Sequence, residues 1–77
     1  MNNALRECFG TTIRQIRVSK EISQERFADM CDLHRTYISD IELGKRNVSL
    51  ENIVKMAKAL NIRVSDLFKE MENNAGI

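Results

Sequence analysis

The stretch that most constrains this chain is Ser23 to Leu50, SQERFADMCDLHRTYISDIELGKRNVSL. It holds two short runs of helical periodicity separated by a tight turn. Ser23 is placed to accept a hydrogen bond from an early backbone N–H, and Glu25 in the first turn suits the helix dipole. Arg26 stands where a glutamate would complete a capping box. Phe27, Ala28 and Met30 supply apolar surface, and Cys31-Asp32 reads as the turn. Ala28 is the small residue that lets the next helix cross close by. That helix is predicted over about Arg35 to Leu43, with Leu33, Ile38 and Ile41 toward the core. Arg35, Thr36, Ser39, Asp40 and Leu43 are left outside, and Gly44 supplies a left-handed stop.

There is no proline, and Leu, Ile, Met, Glu, Lys and Arg are abundant, which favours an all-α domain. The 77 residues make one small domain with a marginal core. Two cysteines and one histidine match no zinc spacing, so no metal or cofactor is expected. Cys8 and Cys31 fall at apolar positions of the helical pattern and are read as buried free thiols. No apolar run approaches the ~20 residues of a membrane span, and the N-terminus lacks a signal-peptide pattern. The chain is accordingly read as soluble and cytoplasmic. Twelve basic residues against eleven acidic give a net charge of +1, so any case for a polyanionic partner rests on where the charges lie.

A first helix is predicted from about Asn3 to Ser19, with Leu5, Phe9, Ile13 and Ile16 as its apolar stripe. Gly10 inside that stripe either allows close helix packing or marks a late start. Lys45-Arg46-Asn47 reads as a basic loop after the third helix. Ser49 caps a fourth helix from Leu50 to about Leu60, with Asn52 third after the cap and Asn61 as stop. Its apolar face, Leu50, Ile53, Val54, Met56, Ala57 and Leu60, is wider than one core contact requires. A fifth helix is expected to begin at a Ser65 cap with Asp66 in its first turn, carrying Leu67, Phe68 and Met71 on one side. The tail from residue 72 to 77 is expected to fray.

These words in this order resemble the Xre-like helix-turn-helix family of phage-type repressors. The residues that carry the resemblance are Gln24, Glu25, Ala28, Leu33, Tyr37-Ile38, Ile41-Glu42, Gly44-Lys45-Arg46 and the segment Leu50 to Leu60. Within the family, RTYISDIE followed by GKRNVSL looks most like the small controller proteins of restriction-modification systems. The resemblance implies a five-helix, lambda-repressor-like fold with the helix-turn-helix at about 23–43. It implies that the third helix enters the major groove of double-stranded DNA while the second lies across the backbone. It also implies a homodimer formed by the region of about 50–71, with Leu50, Ile53, Val54, Ile62, Val64, Leu67 and Phe68 as candidate interface residues. The surplus apolar face of the fourth and fifth helices supports that independently.

Roles follow residue by residue. Arg35 leads for base reading, because its planar fork matches O6 and N7 of guanine. Thr36 can meet a thymine methyl or a phosphate. Ser39 and Asp40 lie next along the same face; Asp40 either accepts from cytosine N4 or stays a solvated acid. Gln24, Tyr37, Lys45, Arg46 and Asn47 are candidates for the DNA backbone, with packing a second role for Tyr37. His34 occupies the cap of the third helix, as a weak cap or a phosphate contact. Glu42 is read as structural, paired with Arg14 or Arg17. Glu25 and Asp29 share a helix face, and the resemblance to related activators implies that acids there touch the RNA polymerase sigma subunit; the alternative is two solvated acids.

The sequence leaves a phage or plasmid repressor, or an antitoxin, as an alternative of the same fold. A helical protein-interaction module without DNA binding is a different class, and Arg35, Thr36, Lys45 and Arg46 together argue against it. An enzyme is not expected, since one histidine, no paired acids in a pocket and no Gly-rich loop leave no active site.

Overall fold

The computed structural model describes residues 3–76, and it is five α-helices without a strand among them. They run α1 Ala4–Ser19, α2 Gln24–Cys31, α3 Arg35–Glu42, α4 Leu50–Ala59 and α5 Val64–Ala75. α1 packs on α3 and α5, α2 on α3 and α4, and α4 on α5. The core is Phe9 and Ile13 of α1, Phe27, Ala28 and Cys31 of α2, Ile38 and Ile41 of α3, Ile53, Met56 and Ala57 of α4, with Leu60 and Leu67. No helix is long and apolar enough to cross a membrane among the described residues.

One device ends four of the helices. A left-handed residue reverses the chain after each: Glu21 (φ 58°), Asp32 (φ 56°), Gly44 (φ 74°) and Asn61 (φ 57°). The next residue then donates its N–H to a carbonyl five residues back: Ile22 to Arg17, Leu33 to Ala28, Lys45 to Asp40 and Ile62 to Ala57. This satisfies carbonyls that the helix leaves open, and an apolar residue at that position folds back over the last turn. Ile22, Leu33 and Ile62 do so and pack against the core. The exception is Lys45, which stays exposed and opens the loop after α3.

Starts are less uniform. Ser23 and Ser49 each accept a hydrogen bond from the N–H three residues on, Arg26 and Asn52, both at 3.1 Å. His34 sits at the cap of α3 without a side-chain cap bond, as a weak cap would. The expected Ser65 cap is not used. α5 starts two residues earlier than that cap implies, at Val64, and its cap is the extended Arg63, whose carbonyl receives the Leu67 N–H at 3.0 Å. Ile62 and Val64 both pack on the core, and these anchors on either side of Arg63 outweigh a serine cap.

Three further expectations are corrected. Leu5 is 59% exposed, because the N-terminal turn of α1 runs past the core. Cys8 is only half-buried, with its thiol 3.3 Å from the Met71 carbonyl, whereas Cys31 is buried as expected. The tail does not fray from Glu72, since α5 continues to Ala75. Asn74 holds it there, its Nδ2 donating to Thr12 Oγ1 at 2.9 Å and Gln15 Oε1 at 3.0 Å. Ile77, the last residue of that tail, lies outside the described residues.

The open question about Gly10 is answered by contact. A Cβ built there would lie 2.1 Å from the Ile41 carbonyl oxygen and 2.7 Å from that of Glu42. Glycine is the residue that lets α1 rest directly on the backbone at the end of α3.

Candidate nucleic-acid interface

The orientation of α3 follows from its apolar residues. Ile38 and Ile41 are fully buried, which turns Arg35, Thr36, Ser39 and Asp40 to the opposite side of the helix. Arg35 and Thr36 are exposed, and Ser39 and Asp40 are half-buried beside them. Leu43, 59% exposed, continues the same face at the end of the helix. These residues sit together as the spacing predicts.

Behind this face, α3 is held by a buried ionic cluster. Arg17 Nε donates to Glu42 Oε2 at 2.7 Å and Arg17 Nη2 to Glu42 Oε1 at 3.0 Å. Gln24 Nε2 adds a third bond to Oε1 at 3.0 Å, and Arg17 Nη1 donates to the Ile22 carbonyl at 2.7 Å. Of the two arginines proposed for Glu42, it is therefore Arg17. Gln24 was expected to face a phosphate, but its amide nitrogen is engaged with Glu42 instead. Two buried charges leave water at a cost that full pairing offsets, so the cluster fixes geometry and is costly to break.

A second, more exposed network stands in front. Arg46 lies over the Tyr37 ring, 5.2 Å from its centroid, and its Nε is 3.6 Å from Asp40 Oδ2. Tyr37 is half-buried against the core, and its hydroxyl accepts from Asn52 Nδ2 at 2.9 Å. Of the two roles foreseen for Tyr37, the ring takes up packing, and the hydroxyl is bonded to Asn52. Asn52 was passed over as part of the site. Its place third after the Ser49 cap explained it as a helix-start residue, and nothing in the spacing pointed toward Tyr37. Lys45 and Asn47 are exposed in the same loop as Arg46. Gly44 permits the loop's tight departure, since a Cβ there would lie 2.8 Å from Glu7 Cα.

The remaining candidates divide. Glu25 and Asp29 are both exposed on α2. Of the interface residues, Leu50 is 72% exposed, and Val54, Ile62, Val64 and Phe68 are half-buried. Ile53 and Leu67, at 9% and 0%, belong to the core and are withdrawn from that set. The wide face of α4 is really two faces, one inward through Ile53, Met56 and Leu60, and one outward through Leu50 and Val54. Leu67 is the residue by which α5 seats itself.

The sequence pattern of the Helix-turn-helix family matches residues 13–67, which takes in the end of α1, all of α2, α3 and α4, and the start of α5. The chain belongs to the Xre-like helix-turn-helix family. Within it, the chain is 60% identical over 68 residues to Control protein C.BamHI of Bacillus amyloliquefaciens, covering 87% of this chain and 84% of that one. It is 46% identical over 71 residues to Control protein C.MunI of a Mycoplasma species, covering 91% and 96%. Among solved structures, the restriction-modification controller protein C.AhdI from Aeromonas hydrophila superposes with a TM-score of 0.79 at 45% identity, over 80% of this chain and 94% of that one. The controller protein C.Esp1396I, solved as a tetramer with its natural 35 base-pair operator, superposes at 0.88 and 29% identity, over 95% and 96%. The fold expected of the family, all-α with a helix-turn-helix, is the fold this chain has. Relatives in this family are transcriptional regulators and not enzymes.

Proposed function

We propose that this chain is a sequence-specific DNA-binding transcriptional regulator that acts as a homodimer on a palindromic operator and controls a restriction-modification system. The observation that carries the reading is the outer face of α3. Arg35, Thr36, Ser39 and Asp40 project from one side of a helix whose other side is locked by Ile38, Ile41 and Glu42. Lys45, Arg46 and Asn47 flank it. Short polar side chains with one arginine suit base edges, and the loop cations suit phosphates. C.Esp1396I, similar over nearly the whole chain, was solved on its operator, which supports the same use of this surface.

In this reading Arg35 reads guanine, with Thr36, Ser39 and Asp40 next along the groove. Tyr37 donates its hydroxyl proton to a phosphate, because the Asn52 amide already supplies the hydrogen its oxygen accepts. Lys45, Arg46 and Asn47 contact the backbone, and Gln24 contributes its early backbone N–H. Subunits pair through Leu50, Val54, Ile62, Val64 and Phe68, an outward set that one small chain leaves partly wet. Glu25 and Asp29 form the surface offered to the polymerase sigma subunit, and the protein works in the cytoplasm.

The test is fluorescence anisotropy with the DNA immediately upstream of the chain's own coding sequence, titrated at two salt concentrations. Tight, salt-dependent binding that exceeds binding to a random duplex is expected. Absence of salt-dependent binding to either duplex would overturn the reading. Replacing Glu25 and Asp29 by their amides tests the polymerase contact: activation in a reporter should fall while DNA affinity holds.

A further inference from the structure

We infer that Arg14 is a DNA phosphate contact, which extends the interface from α2 and α3 onto α1. The inference rests on the proposed DNA-binding function. Arg14 lines an open cleft of about 480 Å³ together with Thr11, Gln24, Ser39, Glu42 and Leu43. Gln24 and Ser39 already belong to the proposed interface, so the cleft is its continuation.

The charge in the cleft is unbalanced. Its single acid is Glu42, and both carboxylate oxygens are taken: Arg17 binds each of them and Gln24 binds one. The negative charge there is matched by a cation from behind the cleft. Arg14 is the only cation lining it, and among the described residues it makes no ion pair and no side-chain hydrogen bond. Had Arg14 been the partner of Glu42, the cleft would be neutral. Because Arg17 takes that role, one exposed guanidinium is left among the hydroxyls of Thr11 and Ser39 and the amide of Gln24. A planar fork beside two hydroxyls is suited to a phosphate, which it can bind with two parallel bonds. The occupant is a backbone phosphate flanking the bases under α3, and not a free anion, because the cleft opens beside the outer face of that helix.

The experiment uses the full chain and two duplexes, the upstream DNA and a random sequence of equal length, between 50 and 200 mM KCl. Each phosphate contact contributes roughly 0.9 to the log–log salt slope. Arg14→Gln should lower that slope by about 0.9 for each bound subunit, equally on both duplexes. The wild-type advantage over the variant should therefore shrink by about 3.5-fold per subunit across this salt range. Arg14→Lys should restore the slope, and thermal melts of both variants should match the wild type because Arg14 is exposed. An unchanged slope in Arg14→Gln overturns the inference. So does a loss confined to the upstream duplex, which would make Arg14 a base reader. Those outcomes leave the functional reading intact; only a wild type without salt-dependent binding removes both.

Discussion

Gly10→Ala sets two well-known effects against each other, and the structure decides which wins. On helix propensity alone the substitution should stabilise an interior helical position by about 1 kcal/mol. The added Cβ, however, would sit 2.1 Å from the Ile41 oxygen and 2.9 Å from the Glu42 carbonyl carbon. Both neighbours are backbone, so no side chain can swing aside. Ordinary contact is about 3.4 Å or more, so α1 and α3 must part by roughly an ångström. Arg17 lies two turns further along α1 and reaches Glu42 at 2.7 and 3.0 Å, distances that cannot absorb such a separation. Overpacking costs about 1–3 kcal/mol. Loosening a buried ion pair adds to that, up to about 3–5 kcal/mol if one partner is stranded. The net expectation is a loss of about 2–5 kcal/mol, which for a domain this size lowers Tm by roughly 10–30 °C. Circular dichroism melts at 222 nm measure it directly. A Tm equal to or above that of wild type would mean that α1 does not bear on α3 as described, and the reasoning would fail.

Glu42→Ala strands the buried Arg17 guanidinium and should cost about 3–5 kcal/mol in a urea melt; a loss under 1 kcal/mol would show the cluster to be solvated. Arg35→Ala should weaken binding by about 1–3 kcal/mol and relax discrimination at one base position, read from anisotropy on single-substituted operators. An equal loss on every sequence would make Arg35 a backbone contact. Burial raises the Cys31 thiol from 9.0 to about 11, with Lys55 opposing weakly. The folded state therefore keeps the proton longer than the unfolded one. Its contribution is fully present below about pH 9 and is lost as pH rises toward 11. The stability gap between wild type and Cys31→Ala, taken from urea melts, should accordingly narrow across that window, and a constant gap would contradict it.

How much could be read in advance depended on whether a feature was local. Helix spans came through because Phe27, Ile38, Ile41, Met56 and Leu60 keep helical spacing, and the Ser23 and Ser49 caps and the Gly44 and Asn61 stops are decided within a turn. What failed was set across the chain. Ser65 is as good a cap as Ser49 by its own chemistry, but Ile62 and Val64 commit the chain before it is reached. The polar tail looked unanchored because its partners, Thr12 and Gln15, are some 60 residues away. Arg14 and Arg17 are equivalent by spacing, and which of them meets Glu42 depends on how α1 lies against α3. In the candidate site the outer face of α3 was legible because two buried isoleucines dictate it. The Tyr37–Asn52 bond was not, because a loop of undetermined course separates the two.

α3 is thus held by two polar networks of unequal strength. The buried one, Arg17, Glu42 and Gln24, costs several kcal/mol to disturb and keeps the helix at one angle to the body. The exposed one couples Arg46 to Asp40 at 3.6 Å with the arginine more than half exposed, and a pair of that kind contributes about 0–1 kcal/mol. Any rearrangement on meeting a polyanion therefore begins at Arg46, while Arg35 and Ser39 keep their positions. In a chain with a net charge of only +1, that asymmetry matters. A uniformly basic domain would hold DNA anywhere, whereas in the proposed reading a rigid polar face supplies discrimination and a few releasable cations supply affinity, with pairing of subunits to double both.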